Sequence, residues 1–148
     1  MYIIRKANEN DISCIAEMER EICEISFQEN AITDILFHEK RLLKAMFSNN
    51  EGMYVVESEN QIMGWLWMDA KENFLTKERY INFRSFYIDE KIRGTKIVNQ
   101  LLQKGFEYAR KVNAKKIVGK VFVENIPMRA IYKNAGFHAT HLTMEINL

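Results

Sequence analysis

The sequence predicts an α/β protein with a mixed central sheet of about six to seven strands and helices on both faces. Runs of β-branched and aromatic residues alternate with segments of helical period. Two apolar runs joined by the short polar link 59–61 indicate a β-hairpin, which requires antiparallel pairing. A strand–helix–strand order near 80–123 requires a parallel pair with a right-handed crossover. A sheet with both kinds of pairing is mixed.

The first half of the chain predicts one strand, two helices and the hairpin. Residues 2–7 (YIIRKA) form a short β-branched run, which predicts a strand. A helix is predicted after the capping pair Asn10-Asp11, because apolar residues recur there at spacings of three and four. A second helix is predicted over about 31–47. The hairpin follows, with strands MYVVES and IMGWLWMDA on either side of the link.

The second half begins with the polar stretch 71–78, which predicts a loop, and continues with the strand RYINFRSFYIDE. A long amphipathic helix is predicted from Thr95, with Val98 beside its main apolar stripe. Next come a strand over 114–123 and a short helix over 125–135. Gly136 follows that helix, where a left-handed residue commonly ends one. The closing segment FHATHLTMEINL predicts a final strand.

Composition narrows the class of protein. A chain of 148 residues suits one domain over 1–148. Its 21 basic and 20 acidic residues give a net charge of +1, which lacks the basic field of a nucleic-acid-binding protein. No apolar run approaches the roughly 20 residues of a membrane span. Cys14 and Cys23 lie about 13 Å apart along one helix, too far to bridge. They indicate reduced, mostly buried thiols of a cytoplasmic protein.

Two motifs carry a resemblance to a known family. YIDEKIRGTKIVNQLL, residues 87–102, resembles the strand, turn and cofactor helix of the GNAT superfamily of N-acetyltransferases, whose signature is R/Q-x-x-G-x-G/A. NIPMRAIYKNAGF, residues 125–137, resembles that family's second motif. The order of elements agrees over nearly the whole chain. Lys96 and Val98 replace the later small residues of the signature, and Met128 stands where alanine is common.

The resemblance implies a GNAT-like fold and acetyl transfer from acetyl-CoA, as cosubstrate, to a primary amine. The amine would attack directly in a ternary complex, and the acceptor would be a small molecule or a protein amino group. A homodimer is compatible with this reading, whereas nucleic-acid and membrane partners are not expected. No metal is expected either, because the histidines lack the spacing of metal ligands.

The resemblance also assigns roles to individual residues. Tyr132 would protonate the departing thiolate, a transfer between groups with pKa values near 10 and 8.5; the alternative is a buried, packing tyrosine. Asn125 would lie near pantetheine, or serve only as a helix cap. The remaining cofactor contacts would come from a strand offering backbone groups and from a loop holding the pyrophosphate through its amides. These residues are Phe86, Tyr87 and Ile88 on the strand, and Arg93, Gly94, Thr95, Lys96, Ile97 and Val98 in the loop.

Other interpretations stay open from the sequence. The loop could be a plain turn with Gly94 for curvature, and the protein a non-catalytic module that senses acyl-CoA or binds a partner protein. The altered loop and the lack of a carboxylate on the fourth strand favour that rival. Arg84 on this strand could recognise an acidic substrate group or face solvent, and Trp65 and Trp67 could line an acceptor pocket or the core. Candidates for the general base are Asp69, Glu19, Glu24 and Glu124.

Overall fold

The computed structural model describes residues 1–148 and contains nine regular helices and strands in the predicted order. Three short 3-10 turns lie between them. The elements are β1 (Tyr2–Lys6), α1 (Ile12–Phe27), α2 (Ile35–Ser48), β2 (Met53–Ser58), β3 (Gln61–Glu72), β4 (Arg79–Ile88), α3 (Lys96–Lys111), β5 (Ile117–Gly119) and α4 (Ile126–Asn134).

The sheet is mixed, as predicted, but it has five strands and not six or seven. Its order is β1-β2-β3-β4-β5. The first four strands pair antiparallel, and β5 lies parallel to β4. The helix α3 forms the crossover between this parallel pair. The hairpin of β2 and β3 confirms the interpretation of the link at 59–61.

The predicted final strand is absent. Residues 138–148 have no regular secondary structure, and the side chains of Leu142, Met144 and Ile146 are 84–85% exposed. Their alternation is typical of a strand, but a strand forms only where a neighbour supplies hydrogen bonds. The neighbouring β5 pairs with β4 over only three residues, much less than the predicted 114–123. The edge strand β5 is therefore too short to support the predicted final strand.

Helices cover both faces of the sheet, as predicted. On one face, α1 and α2 pack over a core that contains Trp65 and Trp67. On the other face, α3 and α4 pack over a core that contains Leu66, Leu101 and Tyr132. The alternation of Trp65, Leu66 and Trp67 along β3 explains this division, because successive strand residues point to opposite faces. Both tryptophans are thus core residues.

A partly buried ion-pair network joins β1 to the start of α1. Arg5 donates two hydrogen bonds of 2.8 Å to the Asp11 carboxylate and a third of 2.9 Å to Glu57 on β2. Asp11 also accepts a hydrogen bond from the Asn8 amide. Burial raises the pKa of Asp11, but the hydrogen bonds from Arg5 and Asn8 outweigh burial, so the pKa lies below its usual value.

The two thiols are free, as expected, but they are less buried than predicted. Cys14 is exposed and Cys23 is half-buried, since α1 turns the first toward solvent. No helix of the structure combines the length and apolar character that crossing a membrane requires.

Candidate functional site

The turn before α3 presents unpaired backbone donors. Gly94 adopts φ +77°, a left-handed conformation that favours glycine. Thr95 then takes the N-cap position of the 16-residue helix, but its side chain does not cap it; the hydroxyl donates to the Ile92 carbonyl at 2.7 Å. The backbone amides of Gly94, Lys96 and Ile97 donate to no backbone carbonyl. Free donors at a helix start, with the positive end of its dipole, suit an anion.

The two substitutions in the loop do not obstruct these donors equally. Val98 is 5% exposed and packs in the core beneath α3, so its side chain points away from the free amides. Lys96 is exposed and makes no ion pair. The free amides of the loop therefore stay accessible, and the unpaired ammonium group of Lys96 lies beside them.

Arg93 connects the loop to the end of β4. Its Nε donates to the Ile88 carbonyl at 3.1 Å, while the rest of this exposed guanidinium stays free. The bond holds the turn against the last residue of the strand. The free amides and the carboxyl end of β4 therefore lie side by side.

The strands β4 and β5 separate just before this point. Their pairing ends at Phe83 and Gly119, whereas β4 continues to Ile88. The backbone of β4 beyond Phe83 therefore has no partner strand on its β5 side.

The amide of Asp89 donates to Met63 on the β3 side. Because backbone groups of successive residues alternate in direction along a strand, those of Tyr87 also face β3, and those of Phe86 and Ile88 face the open side. Phe86 thus offers a free N–H and a free carbonyl, whereas Ile88 offers only its N–H, because its carbonyl accepts from Arg93. The backbone of Tyr87 offers neither.

Tyr132 lies where the two strands diverge. Its ring packs edge to face against Phe86, with centroids 5.7 Å apart, and against Phe137 at 4.9 Å. On the other side the ring lies over Gly119, where an added Cβ would come within 2.5 Å of the hydroxyl oxygen. Burial raises the pKa of Tyr132, with no hydrogen bond contributing. The phenol is therefore neutral near pH 7.

Asn125 caps α4. Its Oδ1 accepts a hydrogen bond of 3.3 Å from the Met128 amide, which satisfies one of the orphan donors of the helix. Asn125 therefore has the helix-capping role that was one of its two predicted roles. The side-chain amide nitrogen stays available to a ligand.

Comparisons with known proteins fit this arrangement. The model of the Acetyltransferase (GNAT) family matches residues 14–137 of the chain. The chain belongs to this family. The uncharacterized N-acetyltransferases YycN and YdgE of Bacillus subtilis (strain 168) are 31% and 30% identical to it over 91 and 101 residues. These matches cover 62% and 68% of the chain, but only 57% and 63% of the two relatives.

Solved structures share the fold over all or nearly all of their length. The putative acetyl transferase from Pyrococcus furiosus superposes with a TM-score of 0.77 at 24% identity, and the superposition covers 100% of both chains. A predicted acetyltransferase with acetyl-CoA from Clostridium acetobutylicum superposes with a TM-score of 0.76 at 22% identity, covering 99% of this chain and 96% of the other. At these identities the likeness establishes the fold.

The predicted candidates for the base of this GNAT protein are mostly committed to structural contacts. Glu19 is buried and accepts a hydrogen bond of 2.7 Å from Trp65 Nε1. Glu24 pairs with Arg20 at 2.7 Å. Glu124 is exposed beyond the end of β5.

Asp69 on β3 and Arg84 on β4 form a pair on the face of the sheet that α1 and α2 cover. The Arg84 Nε lies 3.5 Å from an Asp69 oxygen, and its guanidinium carbon lies 3.8 Å from the centroid of the Trp67 ring. Arg84 is thus stacked on the core and only partly turned to solvent. No cluster of three or more His, Cys, Asp or Glu side chains is arranged to hold a metal ion.

Sequence reasoning missed one carboxylate near the open edge. Glu21 on α1 approaches the Tyr87 hydroxyl, and burial together with this carboxylate raises the pKa of Tyr87. No local pattern distinguishes Glu21 from Glu17 or Glu24 on the same helix. Its position follows from the packing of α1 over β4, a contact between residues 66 positions apart in the chain.

Proposed function

We propose that this protein transfers an acetyl group from acetyl-CoA to a primary amine by direct attack in a ternary complex. One observation carries the proposal: three free amides at the start of α3 lie beside the open edge of β4, and Tyr132 lies where β4 and β5 diverge. The pyrophosphate of acetyl-CoA requires hydrogen-bond donors at the start of the helix. Its thioester carbonyl requires another hydrogen-bond donor on the adjacent strand.

The residues present fit the cofactor. Gly94, Lys96 and Ile97 would donate backbone hydrogen bonds to the pyrophosphate, and Lys96 would add a charge. Arg93 would position this loop against β4 through its bond to Ile88. The N–H and carbonyl of Phe86 and the N–H of Ile88 would bind the pantetheine amides and the acyl carbonyl.

The transfer needs few protein groups. As the amine nitrogen bonds to the carbonyl carbon, a backbone N–H on the open edge of β4 would stabilise the oxyanion. The C–S bond then breaks, and Tyr132 would give its proton to the departing sulfur and regain one from solvent. Burial makes this phenol a weaker acid. The same apolar surroundings also raise the pKa of a thiol, so the pKa values of the two groups stay close enough for proton transfer.

The amine must lose a proton to a base. Glu21 is the carboxylate we propose for this role, directly or through Tyr87 and water, because it reaches the face of β4 opposite α3. The candidates Glu19 and Asp69 are held by Trp65 and Arg84.

A non-catalytic module that senses acyl-CoA or binds a partner protein is the second candidate. It is favoured by the absence of a carboxylate between Arg84 and Ile88, the open part of β4. Thiol release from acetyl-CoA in the presence of a mixture of primary amines separates the two functions. Release that requires both the amines and Tyr132 supports the enzyme, and binding without release supports the module.

A further inference from the structure

A basic groove lies on the opposite face of the sheet from α3 and α4. It has a volume of about 420 Å³ and is lined by four cationic side chains and no carboxylate. Asn82 and Val118, which pair across β4 and β5, lie in its wall. The groove therefore opens beside the divergence of these strands. Its four cations are Arg41, Lys71, Arg84 and Lys120.

The two arginines are held in place by one indole. The guanidinium carbons of Arg84 and Arg41 lie 3.8 Å and 5.0 Å from the centroid of the buried Trp67 ring. Each guanidinium meets a single carboxylate at 3.5 Å, Asp69 for Arg84 and Glu19 for Arg41. Because a guanidinium has five N–H donors in a fixed plane, most of these donors stay unused.

The lysines add charge without partners. Lys71 and Lys120 are exposed and form no ion pair, so positive charge exceeds negative charge around the groove. Such a field attracts an anion and disfavours a ligand that carries only an ammonium group.

The groove is close to the proposed reaction site. Phe83 lines it, and the ring of Phe83 lies 6.5 Å from that of Tyr132 on the other face. Along β4, Arg84 precedes Phe86 by two residues, about 7 Å in an extended strand. An acceptor with its acidic group on Arg84 needs only a short spacer to place an amine at the open edge.

We propose that the groove binds the acidic group of the acceptor, so that the substrate is a primary amine bearing a carboxylate or a phosphate. This inference rests on the proposed function. If acetyl-CoA binds on the α3 face, the acceptor amine must approach from the face of α1 and α2, where the groove lies. Arg84 and Arg41 would form the charge-assisted hydrogen bonds that select it.

The test uses three amines with the same two-carbon spacer: β-alanine, phosphoethanolamine and the neutral control ethanolamine. Each is titrated at constant ionic strength into protein saturated with CoA. Binding is followed by calorimetry and by intrinsic tryptophan fluorescence, to which Trp67, under both guanidiniums, contributes. We expect saturable binding of at least one acidic probe and none of ethanolamine. Whether the carboxylate or the phosphate binds better identifies the acidic group.

Three variants locate the binding. Arg84→Gln should lower the affinity for the acidic probe by about tenfold or more. Lys120→Gln, which breaks no contact, should lower it by about threefold. The matched control is Arg110→Gln on the exposed face of α3, which should leave affinity unchanged. Equal binding of ethanolamine, no saturable binding of either acidic probe, or full affinity in both groove variants would overturn the proposal. Failure of CoA itself to bind would instead contradict the proposed function, and the acidic probes can still be titrated into the free protein.

Discussion

The Tyr132 ring occupies the space that a side chain on Gly119 would need. A Cβ at residue 119 would lie 2.5 Å from the hydroxyl oxygen and 2.9 Å from the ring, closer than real contacts allow. We expect Gly119→Ala to displace Tyr132, to lower turnover, and to cost about 1–3 kcal/mol of stability through overpacking. Chemical denaturation and steady-state kinetics check both effects. Lys116→Ala, at an exposed position just before β5, is the control, and a Gly119→Ala protein with normal turnover would contradict the placement.

Replacing Tyr132 by phenylalanine keeps the ring and removes only the proton donor. If the hydroxyl is the acid, turnover should fall by roughly a hundredfold, while the dissociation constant of acetyl-CoA stays nearly unchanged. Stopped-flow turnover and calorimetry separate the two quantities. Unchanged turnover would exclude Tyr132 as the acid.

The pH dependence of turnover gives a second view of Tyr132. Burial raises the pKa of this phenol, so its protonated form persists above the usual value near 10. Since the acid must be protonated, kcat should not decline as pH rises to about 10. The free energy of unfolding depends on pH in the same direction. The stability that comes from burying the neutral phenol is fully present below pH 10 and is lost only at more alkaline pH. A fall in kcat starting near pH 8 would show that another acid donates.

Lys96 should contribute charge to pyrophosphate binding. Lys96→Gln removes the charge, and Lys96→Gly also restores the glycine of the family signature. Because an exposed charge is worth at most about 1 kcal/mol and is screened by salt, both variants should bind CoA up to about fivefold more weakly at low salt and almost normally at high salt. Tighter binding by Lys96→Gly alone would mean that the lysine obstructs the site.

Glu21 is testable as the general base because α1 offers a matched control. Glu21→Gln should lower kcat by roughly a hundredfold near neutral pH, with a smaller loss at alkaline pH, where the free amine no longer needs the base. Glu17→Gln, which breaks only a surface pair with Arg20, should be close to wild type. Equal activities of the two variants would rule out Glu21.

Local patterns were sufficient to predict much of the fold. Gly136 does adopt the left-handed conformation expected after α4, with φ +96°, and the β2–β3 hairpin follows from its short polar link. The inward direction of Val98 was also present in the sequence, since it lies beside the apolar stripe of α3. The final strand could not be judged in this way, because strand formation depends on a partner edge that β5 does not provide.

The site was predictable in its motifs and not in its long-range contacts. The free amides before α3 follow from the general geometry of helix starts. By contrast, the approach of Glu21 to Tyr87 and the stacking of Arg41 and Arg84 on Trp67 join separate parts of the chain through packing. No spacing rule predicts such contacts.

Calorimetric titration of the purified protein with acetyl-CoA tests most directly whether the amides of Gly94, Lys96 and Ile97 bind a diphosphate. We expect saturable binding with a dissociation constant of about 1–100 μM, weakened by Lys96→Gln at low salt. The absence of any heat at millimolar acetyl-CoA would contradict this assignment and leave a scaffold for binding a partner protein.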